Sequence, residues 1–259
     1  MAPVIEPAEI GSRHFTVALA RSEAEVREAQ RLRFEVFARE CGADLDTDLP
    51  GHDRDRFDDC CDHMLVRDRS TDEVVGTCRI LEPRHLSRIG GFYAEQEFDL
   101  SRLRPMQRRT VEVGRSCIHP NYRRGAVIAL LWSGLGQYLV DRGYDYVMGC
   151  ASIPLSDGGR TVSTTYQHLK THCLSPEAWR VFPHHPYPVE EAPTSASPIL
   201  PPLIKGYVRL GASLCGDPSW DRSFKTADLL MLLPIADMNH RYARHFLNAS
   251  APAGVAVAV

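Results

Sequence analysis

The sequence lacks the features that mark disulfide scaffolds, metal sites and membrane spans. Its eight cysteines form no C-x-x-C pair and most lie in apolar stretches, so we expect reduced thiols in a cytoplasmic protein. The eleven histidines show no H-E-x-x-H or similar spacing, and no metal site is expected. The longest apolar run, 227–236, contains Asp228 and Pro234 and is far shorter than a membrane span. Any membrane contact is therefore expected to be peripheral, on the inner face.

Nucleotide-binding and hydrolase signatures are missing as well. There is no G-x-x-x-x-G-K-[ST], no G-x-G-x-x-G after a predicted strand, and no G-x-S-x-G. The net charge of −3 argues against a nucleic-acid partner. Positive charge is nevertheless concentrated in one cluster, made of Arg102, Arg104, Arg108 and Arg109. This cluster is either a solvated surface or a docking surface for an acidic protein or anionic lipid.

Hydrophobic periodicity predicts a mixed α/β protein. A strand at 14–20 precedes the capping box Ser22-x-x-Glu25 and a helix that ends at Gly42. An Asp-rich loop at 43–62 leads to two strands, Met64–Arg67 and Val74–Leu81. Further predicted elements are strands at 110–118, 146–153 and 229–233, and helices at 126–140, 161–169 and 236–247. This order fits a sheet with one crossover helix between neighbouring strands.

The same patterns divide the chain into five parts. Residues 1–12 are predicted to be a flexible arm, 13–182 the core, and 183–202 a Pro-rich crossing loop. Residues 203–248 form a C-terminal module packed on the same domain, and 249–259 a disordered low-complexity tail.

A run in the middle of the chain resembles the strand–loop–helix of the GNAT acyltransferase superfamily. It reads Glu112-Val-Gly-Arg-Ser-Cys-Ile-His-Pro-Asn-Tyr-Arg-Arg-Gly-Ala. In that superfamily, amides at the helix N-terminus bind the pyrophosphate of the cofactor. The usual R/Q-x-x-G-x-G/A is incomplete here, because counting from Arg123 places Ala126 and Ile128 at the glycine positions. This departure favours a donor that has no pyrophosphate.

Four spaced motifs are similar to those of acyl-homoserine-lactone synthases, which are GNAT-like enzymes that use acyl carrier protein. They are Arg33-x-x-x-Phe37, Asp55-Arg-Phe-Asp58, Gly76-x-x-Arg79 and Glu112-x-x-Arg115. The resemblance is closer to the ornithine N-acyltransferases of ornithine-lipid synthesis, some of which are labelled haemolysin-like. It is carried by strings such as Cys61-Asp-His-Met-Leu-Val, Val75-Gly-Thr-Cys-Arg-Ile-Leu, Lys205-Gly-Tyr-Val-Arg-Leu-Gly-Ala and Phe224-x-Thr-Ala-Asp228.

This resemblance covers residues 14–247 and carries expectations for fold and activity. It implies an α/β fold with a GNAT-type mixed, mostly antiparallel sheet flanked by helices, and an added C-terminal strand/helix module. It implies transfer of a (3-hydroxy)acyl group from acyl carrier protein to the α-amino group of L-ornithine, giving lyso-ornithine lipid. The alternatives are another amino acid acceptor, or a non-catalytic GNAT-like module.

Glu112 is the predicted general base for an amine that attacks a thioester. The amine of an amino acid is mostly protonated at neutral pH, so removing its proton contributes about 10²–10⁴ in rate. The flanking Val111 and Val113 provide an apolar setting that can raise the pKa of Glu112. The structural alternative is an ion pair with Arg79 or Arg115.

Four further residues have predicted roles around the reacting atoms. Arg115 and Arg79 suit a bidentate clamp for the acceptor carboxylate, with pairing to aspartates as the alternative. Backbone amides near Ser116 are expected to polarise the thioester carbonyl. By analogy with GNAT enzymes, Tyr166 is expected to protonate the leaving thiol.

The resemblance also implies acceptor and donor contacts. Asp55, Asp58 and Asp62 are expected to bind or order the acceptor, with Asp55 or Asp58 pairing with the cationic side chain of ornithine. Arg33 and Phe37 share one helical face and are expected to close over the acyl-phosphopantetheine. The predicted phosphopantetheine-binding residues are Cys117, Ile118, Arg123, Arg124, Gly125 and Ala126. The expected donor is the thioester of acyl carrier protein, with acyl-CoA as the alternative, and no cofactor is expected to remain bound.

Overall fold

The computed structural model describes residues 10–11, 14–123, 125–190 and 200–238. Their strands are β1 Ile10–Gly11, β2 Phe15–Leu19, β3 Asp62–Asp68, β4 Val74–Leu81, β5 Phe98–Asp99, β6 Thr110–Ile118, β7 Tyr146–Pro154, β8 Phe182–Pro183, β9 Ser213–Leu214, β10 Ser219–Asp221 and β11 Thr226–Pro234. One sheet has the order β1-β2-β3-β4-β6-β7-β11-β10, with β9 also paired to β11, and β5 pairs with β8. Only β6 and β7 run parallel among these described pairs. The predicted mixed, mostly antiparallel sheet is therefore confirmed.

Helices cover both faces of this sheet. They are α1 Glu23–Phe34, α2 Leu86–Ile89, α3 Ala126–Arg142, α4 Arg160–His172 and α5 Pro202–Leu210, and α1 continues as a π-helix over Glu35–Glu40. The start of α1 follows the capping motif, because Ser22 Oγ accepts the backbone N–H of Glu25 at 3.3 Å. No helix in the described part of the chain is both long and apolar enough to cross a membrane.

Several segments differ from the sequence prediction. The Arg-rich stretch, predicted as loop, is the 3₁₀ segment Ser101–Arg109, and α5 was not predicted. Ile10 and Gly11, assigned to the arm, form β1 against β2. Of the helix predicted at 236–247, Ile235–Asp237 is a 3₁₀ turn and 239–247 lie outside the described residues. Residues 1–9, 191–199 and the tail at 249–259 also lie outside them.

Alternation along the strands gives the sheet two different faces. Since successive side chains point to opposite sides, one face buries residues such as Val113 and Leu229 against α3. The other face contributes Met148 to a second apolar cluster. That face also holds the buried carboxyl groups of Glu112 and Asp228. The buried carboxyl groups of Glu112 and Asp228 thus share the side of the sheet away from α3.

The parallel strands β6 and β7 separate partway along their length. Their paired residues are Thr110 with Tyr146, Val111 with Val147, and Glu112 with Met148. Both strands continue for six more residues, over 113–118 and 149–154, without pairing to each other in the described structure. The sheet therefore opens immediately after Glu112.

Gly149 occupies the point where this opening begins. A Cβ atom built there would lie 2.3 Å from the backbone oxygen of Val113, a contact that only strand movement can relieve. We predict that Gly149→Ala lowers the free energy of unfolding by about 1–3 kcal/mol, measured by urea denaturation. Gly114→Ala is the matched control, because its Cβ would meet nothing within 4 Å. Equal stability of the two variants would contradict this account of the opening.

Candidate active site

The opening between β6 and β7 is the mouth of a cavity of about 660 Å³. Val113–Ser116 of β6 form one side, and Cys150, Ser152 and Pro154 of β7 form the other. The remaining walls come from the end of α1, the loop before β3, α5, and the β10–β11 hairpin. A space of this size holds a small-molecule acceptor and part of an acyl chain.

Glu112 lies at the inner end of this cavity, where the two strands separate. Its carboxylate accepts the backbone N–H groups of Tyr93 at 2.6 Å and Ala94 at 2.7 Å. Burial raises the pKa of Glu112 to about 7, although these two N–H groups and the Arg79 charge act in the opposite direction. The alternative ion pair with Arg79 or Arg115 is not present among the described residues. Glu112 is thus a buried carboxyl group able to exchange a proton near neutral pH.

A buried ionic network lies beside Glu112 and joins four parts of the fold. It consists of Arg33 from α1, Asp53, Asp55 and Asp58 from the loop before β3, Arg79 from β4, and Arg115 from β6. Its three positive and three negative charges balance. Such pairing is what allows charged groups to remain out of water.

Arg33 is the centre of this network and is fully buried. Its Nη1 and Nη2 donate to the two carboxylate oxygens of Asp58 at 2.9 Å, and its Nε donates to Asp53 at 2.9 Å. Arg33 does not line the cavity. The predicted closure of Arg33 over the donor arm is therefore corrected, because its guanidinium holds the acidic loop against the sheet instead.

Arg79 and Arg115 do line the cavity, as the carboxylate clamp requires. Arg79 Nη1 donates to Asp55 at 2.6 Å, and Arg115 donates to Asp53 at 3.1 Å and Asp55 at 3.2 Å. Both guanidinium groups lie over the ring of Tyr93. The alternative predicted for both residues, pairing with aspartates, is therefore present, and both side chains also border the cavity beside Glu112.

A distortion of β6 brings Arg115 to the same side as Glu112. The two residues are three apart, so strict alternation would place their side chains on opposite faces. The register between β4 and β6 shifts between Thr77 and Arg79, and Arg115 adopts a φ of 50°. A non-glycine residue in this left-handed region is unfavourable and needs support from its surroundings. The bulge and the aspartate pairs together direct the guanidinium into the cavity.

The three aspartates that the sequence proposed as acceptor-binding residues do not line the cavity. Asp55 and Asp58 each pair with two arginines of the network, and, unlike Arg79 and Arg115, neither lines the cavity. Burial alone would raise the pKa of Asp58, but the Arg33 charge and hydrogen bonds hold it well below its usual value. Asp62 faces α3, where it accepts a hydrogen bond from Tyr138 at 2.7 Å. The prediction for these three residues is corrected accordingly.

Tyr166, the predicted proton donor, does not line the cavity. It lies on α4, and its hydroxyl donates to Asp217. Burial and this carboxylate raise the pKa of Tyr166. The tyrosines that do line the cavity are Tyr93 and Tyr207, which sequence reasoning missed because α5 and the 3₁₀ turn Tyr93–Gln96 were not predicted.

The donor-binding residues proposed from the sequence surround the outer end of the cavity only in part. Ser116 and Phe37 line it, and the ring of Phe37 contacts Phe224 edge-on at 5.6 Å. Arg123 instead pairs with Glu40 at 2.6 Å, and Glu40 itself lines the cavity. Cys117 points away and packs with α1.

The segment between β6 and α3 contains the 3₁₀ turn Pro120–Tyr122. Ile118 ends β6, and its backbone oxygen accepts Arg123 Nε at 3.1 Å. Gly125 has a left-handed φ of 100° and precedes Ala126, the first residue of α3. Arg124 lies outside the described residues. The N-terminus of α3 thus faces the side on which β6 ends, as a phosphate-binding loop would need.

Asp221 and Asp228 form an acidic wall that sequence reasoning missed as a site. Both are buried, and both line the cavity from the β10–β11 hairpin. The motif Phe224-x-Thr-Ala-Asp228 carried the resemblance without an assigned role, so its spacing was the available signal. The cavity accordingly has a basic wall at Arg79 and Arg115 and an acidic wall at the hairpin.

Comparison with known proteins agrees with this geometry. The family model described as acetyltransferase (GNAT) domain matches residues 32–133. The crystal structure of the AHL synthase LasI covers 96% of this chain and 100% of its own at 15% identity, with a TM-score of 0.54. The CoA-dependent acyl-homoserine lactone synthase BjaI, solved with MTA, covers 86% of this chain and 81% of its own at 15% identity, with a TM-score of 0.52. These likenesses show a GNAT-type fold.

Sequence relatives define the group more closely. An L-ornithine N(alpha)-acyltransferase of Rhizobium meliloti (strain 1021) is 36% identical over 245 residues, which is 88% of this chain and 82% of the relative. One of Brucella abortus (strain 2308) is 34% identical over 248 residues, covering 89% and 88%. The chain belongs to the L-ornithine N(alpha)-acyltransferase family, which confirms the resemblance found in the sequence.

Removing one partner of the buried network should be costly and pH-dependent. We predict that Asp58→Asn lowers the free energy of unfolding by about 3–5 kcal/mol at pH 7, because Arg33 loses its bidentate partner. The depressed pKa of Asp58 stabilises the fold above its unfolded value near pH 4, and this stabilisation declines as pH falls below it. The difference in the free energy of unfolding between wild type and Asp58→Asn should therefore become smaller below pH 4, as measured by urea denaturation.

Asp59→Asn is the matched control for that series. Its side chain is exposed and lies 3.6 Å from Arg54, so its removal should change stability by less than about 0.5 kcal/mol. If the difference in the free energy of unfolding between wild type and Asp58→Asn stays constant from pH 7 to pH 3, the role given to this ion pair is contradicted.

Proposed function

We propose that the chain transfers a fatty acyl group from the phosphopantetheine thioester of acyl carrier protein to the α-amine of L-ornithine. The observation that carries this proposal is the position of Glu112 between the opening of the sheet and the two arginines. A donor arm entering between β6 and β7 would meet an acceptor held by its carboxylate on the basic wall. The product is an N-acyl-ornithine, the lyso form of ornithine lipid.

Glu112 is proposed to accept a proton from the acceptor amine. Its carboxyl group is close to half ionised near pH 7, which favours a base that works at neutral pH. The neutral amine attacks the thioester carbonyl, the new C–N bond forms, and the C–S bond breaks. The nitrogen then loses a second proton, which ends on the departing thiolate to give the free thiol, while the proton that Glu112 took from the ammonium group is released to solvent.

The acyl donor is proposed to bind in the opening of the sheet. Backbone groups of 113–118 that point towards β7 have no strand partner there, so they can contact the pantetheine amides and polarise the thioester carbonyl. Acyl carrier protein is proposed as the donor because the α3 loop departs from the pyrophosphate-binding pattern. Acyl-CoA is the competing donor, and it would place a pyrophosphate at this loop, whereas the carrier-protein arm would not.

The Arg102–Arg109 cluster lies at the opposite end of β6 from the donor loop. That cluster precedes the first residue of β6, whereas the donor loop follows its last residue. Nine residues of strand separate the two by roughly 30 Å. Arg109 is also engaged with Asp145. We propose docking at the α3 end, with the reaction in the cytoplasm and any membrane contact peripheral.

Glu112→Gln tests the general base directly. We predict a loss of about 10²–10⁴ in kcat/KM, with loss of the rise in activity through pH 7 that the wild type shows. Activity should rise with pH because the carboxyl group, protonated below pH 7, cannot act as a base. The measurement is the initial rate of amide formation from pH 5.5 to 8.5. The matched control is Glu177→Gln, an exposed change outside the cavity, which should keep both the rate and the profile. Folding of each variant is checked by circular dichroism.

Purified components test the substrates. We expect N-acyl-ornithine, identified by mass spectrometry, from acylated carrier protein and L-ornithine, with at least about tenfold higher kcat/KM than acyl-CoA gives. Preference for acyl-CoA would overturn the donor assignment and keep the chemistry. Acylation of a different amino acid would overturn the acceptor. No amide with either donor, from folded protein, would favour a non-catalytic GNAT-like module.

A further inference from the structure

Two carboxyl groups in the cavity have no cationic partner. Asp221 is 7% exposed and Asp228 is 3% exposed. Asp228 Oδ1 accepts Thr226 Oγ1 at 2.8 Å, and Asp221 Oδ1 accepts the backbone N–H of Phe224 at 2.9 Å. Among the described residues, no arginine, lysine or histidine lies within 4.0 Å of either carboxylate.

The nearby cations are engaged elsewhere. Lys225 pairs with Asp44 at 3.5 Å and donates to the backbone oxygen of Gly42, while Arg222 lies over the ring of Trp220. The buried aspartates Asp53 and Asp58, by contrast, both pair with Arg33. Since a buried carboxylate without a partner is unfavourable, the hairpin wall is suited to a cation that arrives with the substrate.

We propose that Asp228, assisted by Asp221, binds the ammonium group at the end of the acceptor side chain and thereby selects a diamino acid. This inference rests on the proposed function and assigns to the hairpin the role that the sequence had given to Asp55 or Asp58.

The positions of the residues in the sheet support an elongated acceptor. Asp228 lies across from Ser152 of β7, and Glu112 lies across from Met148 of the same strand. Met148 and Ser152 are four residues apart on one face, which is roughly 13 Å along the strand. Since β6 and β11 lie on opposite sides of β7, the Cα atoms of Glu112 and Asp228 are roughly 16 Å apart. An acceptor that approaches both carboxyl groups must therefore be extended, with a second cationic group far from its α-amine.

The direction of binding follows from the two walls. Arg79 lies across from Gly114, two residues beyond Glu112, so a carboxylate held there keeps the α-amine near the base. The side chain then points to the hairpin, and the terminal nitrogen is held away from the thioester. Acylation is directed to the α-nitrogen by this arrangement.

The raised pKa of Asp228 is consistent with a carboxyl group that gains a cationic partner when the substrate binds. Burial raises the pKa of Asp228 to about 7, opposed by hydrogen bonds from Thr226 and Ser152 and reinforced by the charges of Asp221 and Glu97. A bound ammonium would favour the ionised form of this carboxyl group.

The test compares L-ornithine with L-norvaline, which has the same carbon skeleton without the terminal amine. For Asp228→Asn we expect kcat/KM for ornithine to fall about 10- to 100-fold, mainly through KM, while kcat/KM for norvaline stays the same or rises. The ratio of kcat/KM for ornithine to kcat/KM for norvaline therefore falls by at least the same factor. Asp237→Asn, an exposed change beyond the end of β11, is the matched control and should leave both values unchanged.

A structural role for Asp228 would lower both acceptors equally, and that result would overturn the inference. An unchanged ratio in both Asp228→Asn and Asp221→Asn would overturn it as well. If Asp228→Asn does not fold, Asp221→Asn decides with the same ratio. Failure of the proposed function is distinct, because the wild type would then form no N-acyl-ornithine.

Discussion

The pairing of three buried arginines with three aspartates determines how the site is assembled. Arg33 cannot be left uncompensated at zero exposure, so the acidic loop before β3 must fold onto α1 to neutralise it. The same loop then meets Arg79 and Arg115 on neighbouring strands. One electrostatic requirement thereby joins a helix, a loop and two strands, and fixes the guanidinium groups that face the cavity.

The separation of β6 from β7 creates the space for the cavity, and the ionic network orients the arginine side chains that line it. Glu112 lies at the last paired position, so the carboxyl group is buried by the closed part of the sheet and yet borders the open part. Burial raises its pKa to about 7 for this reason. The cavity thus has arginine side chains on one wall and, on the other, two carboxyl groups without an ion-pair partner among the described residues, which suits the diamino-acid acceptor that we propose.

The sequence predicted the sheet and its main helices, and it singled out Glu112, Arg79 and Arg115, which the fold brings to one cavity, because alternation and motif spacing are local signals. It failed where a residue's partner is distant. Arg33 and Phe37 share a helical face, yet only Phe37 reaches the cavity, because aspartates twenty or more residues away capture Arg33. Asp228 read as an interruption of an apolar run, and only pairing with β7 and β10 reveals the cavity it faces. The bulge that redirects Arg115 has no signature in composition.

A crystal structure with L-ornithine bound would test the central claim most directly, because the claim is about orientation. The account predicts the carboxylate of ornithine on Arg79 and Arg115, the α-nitrogen beside Glu112, and the terminal nitrogen within hydrogen-bond distance of Asp228. Ornithine bound in the reverse direction, with its terminal nitrogen beside Glu112 or its carboxylate away from both arginines, would contradict it.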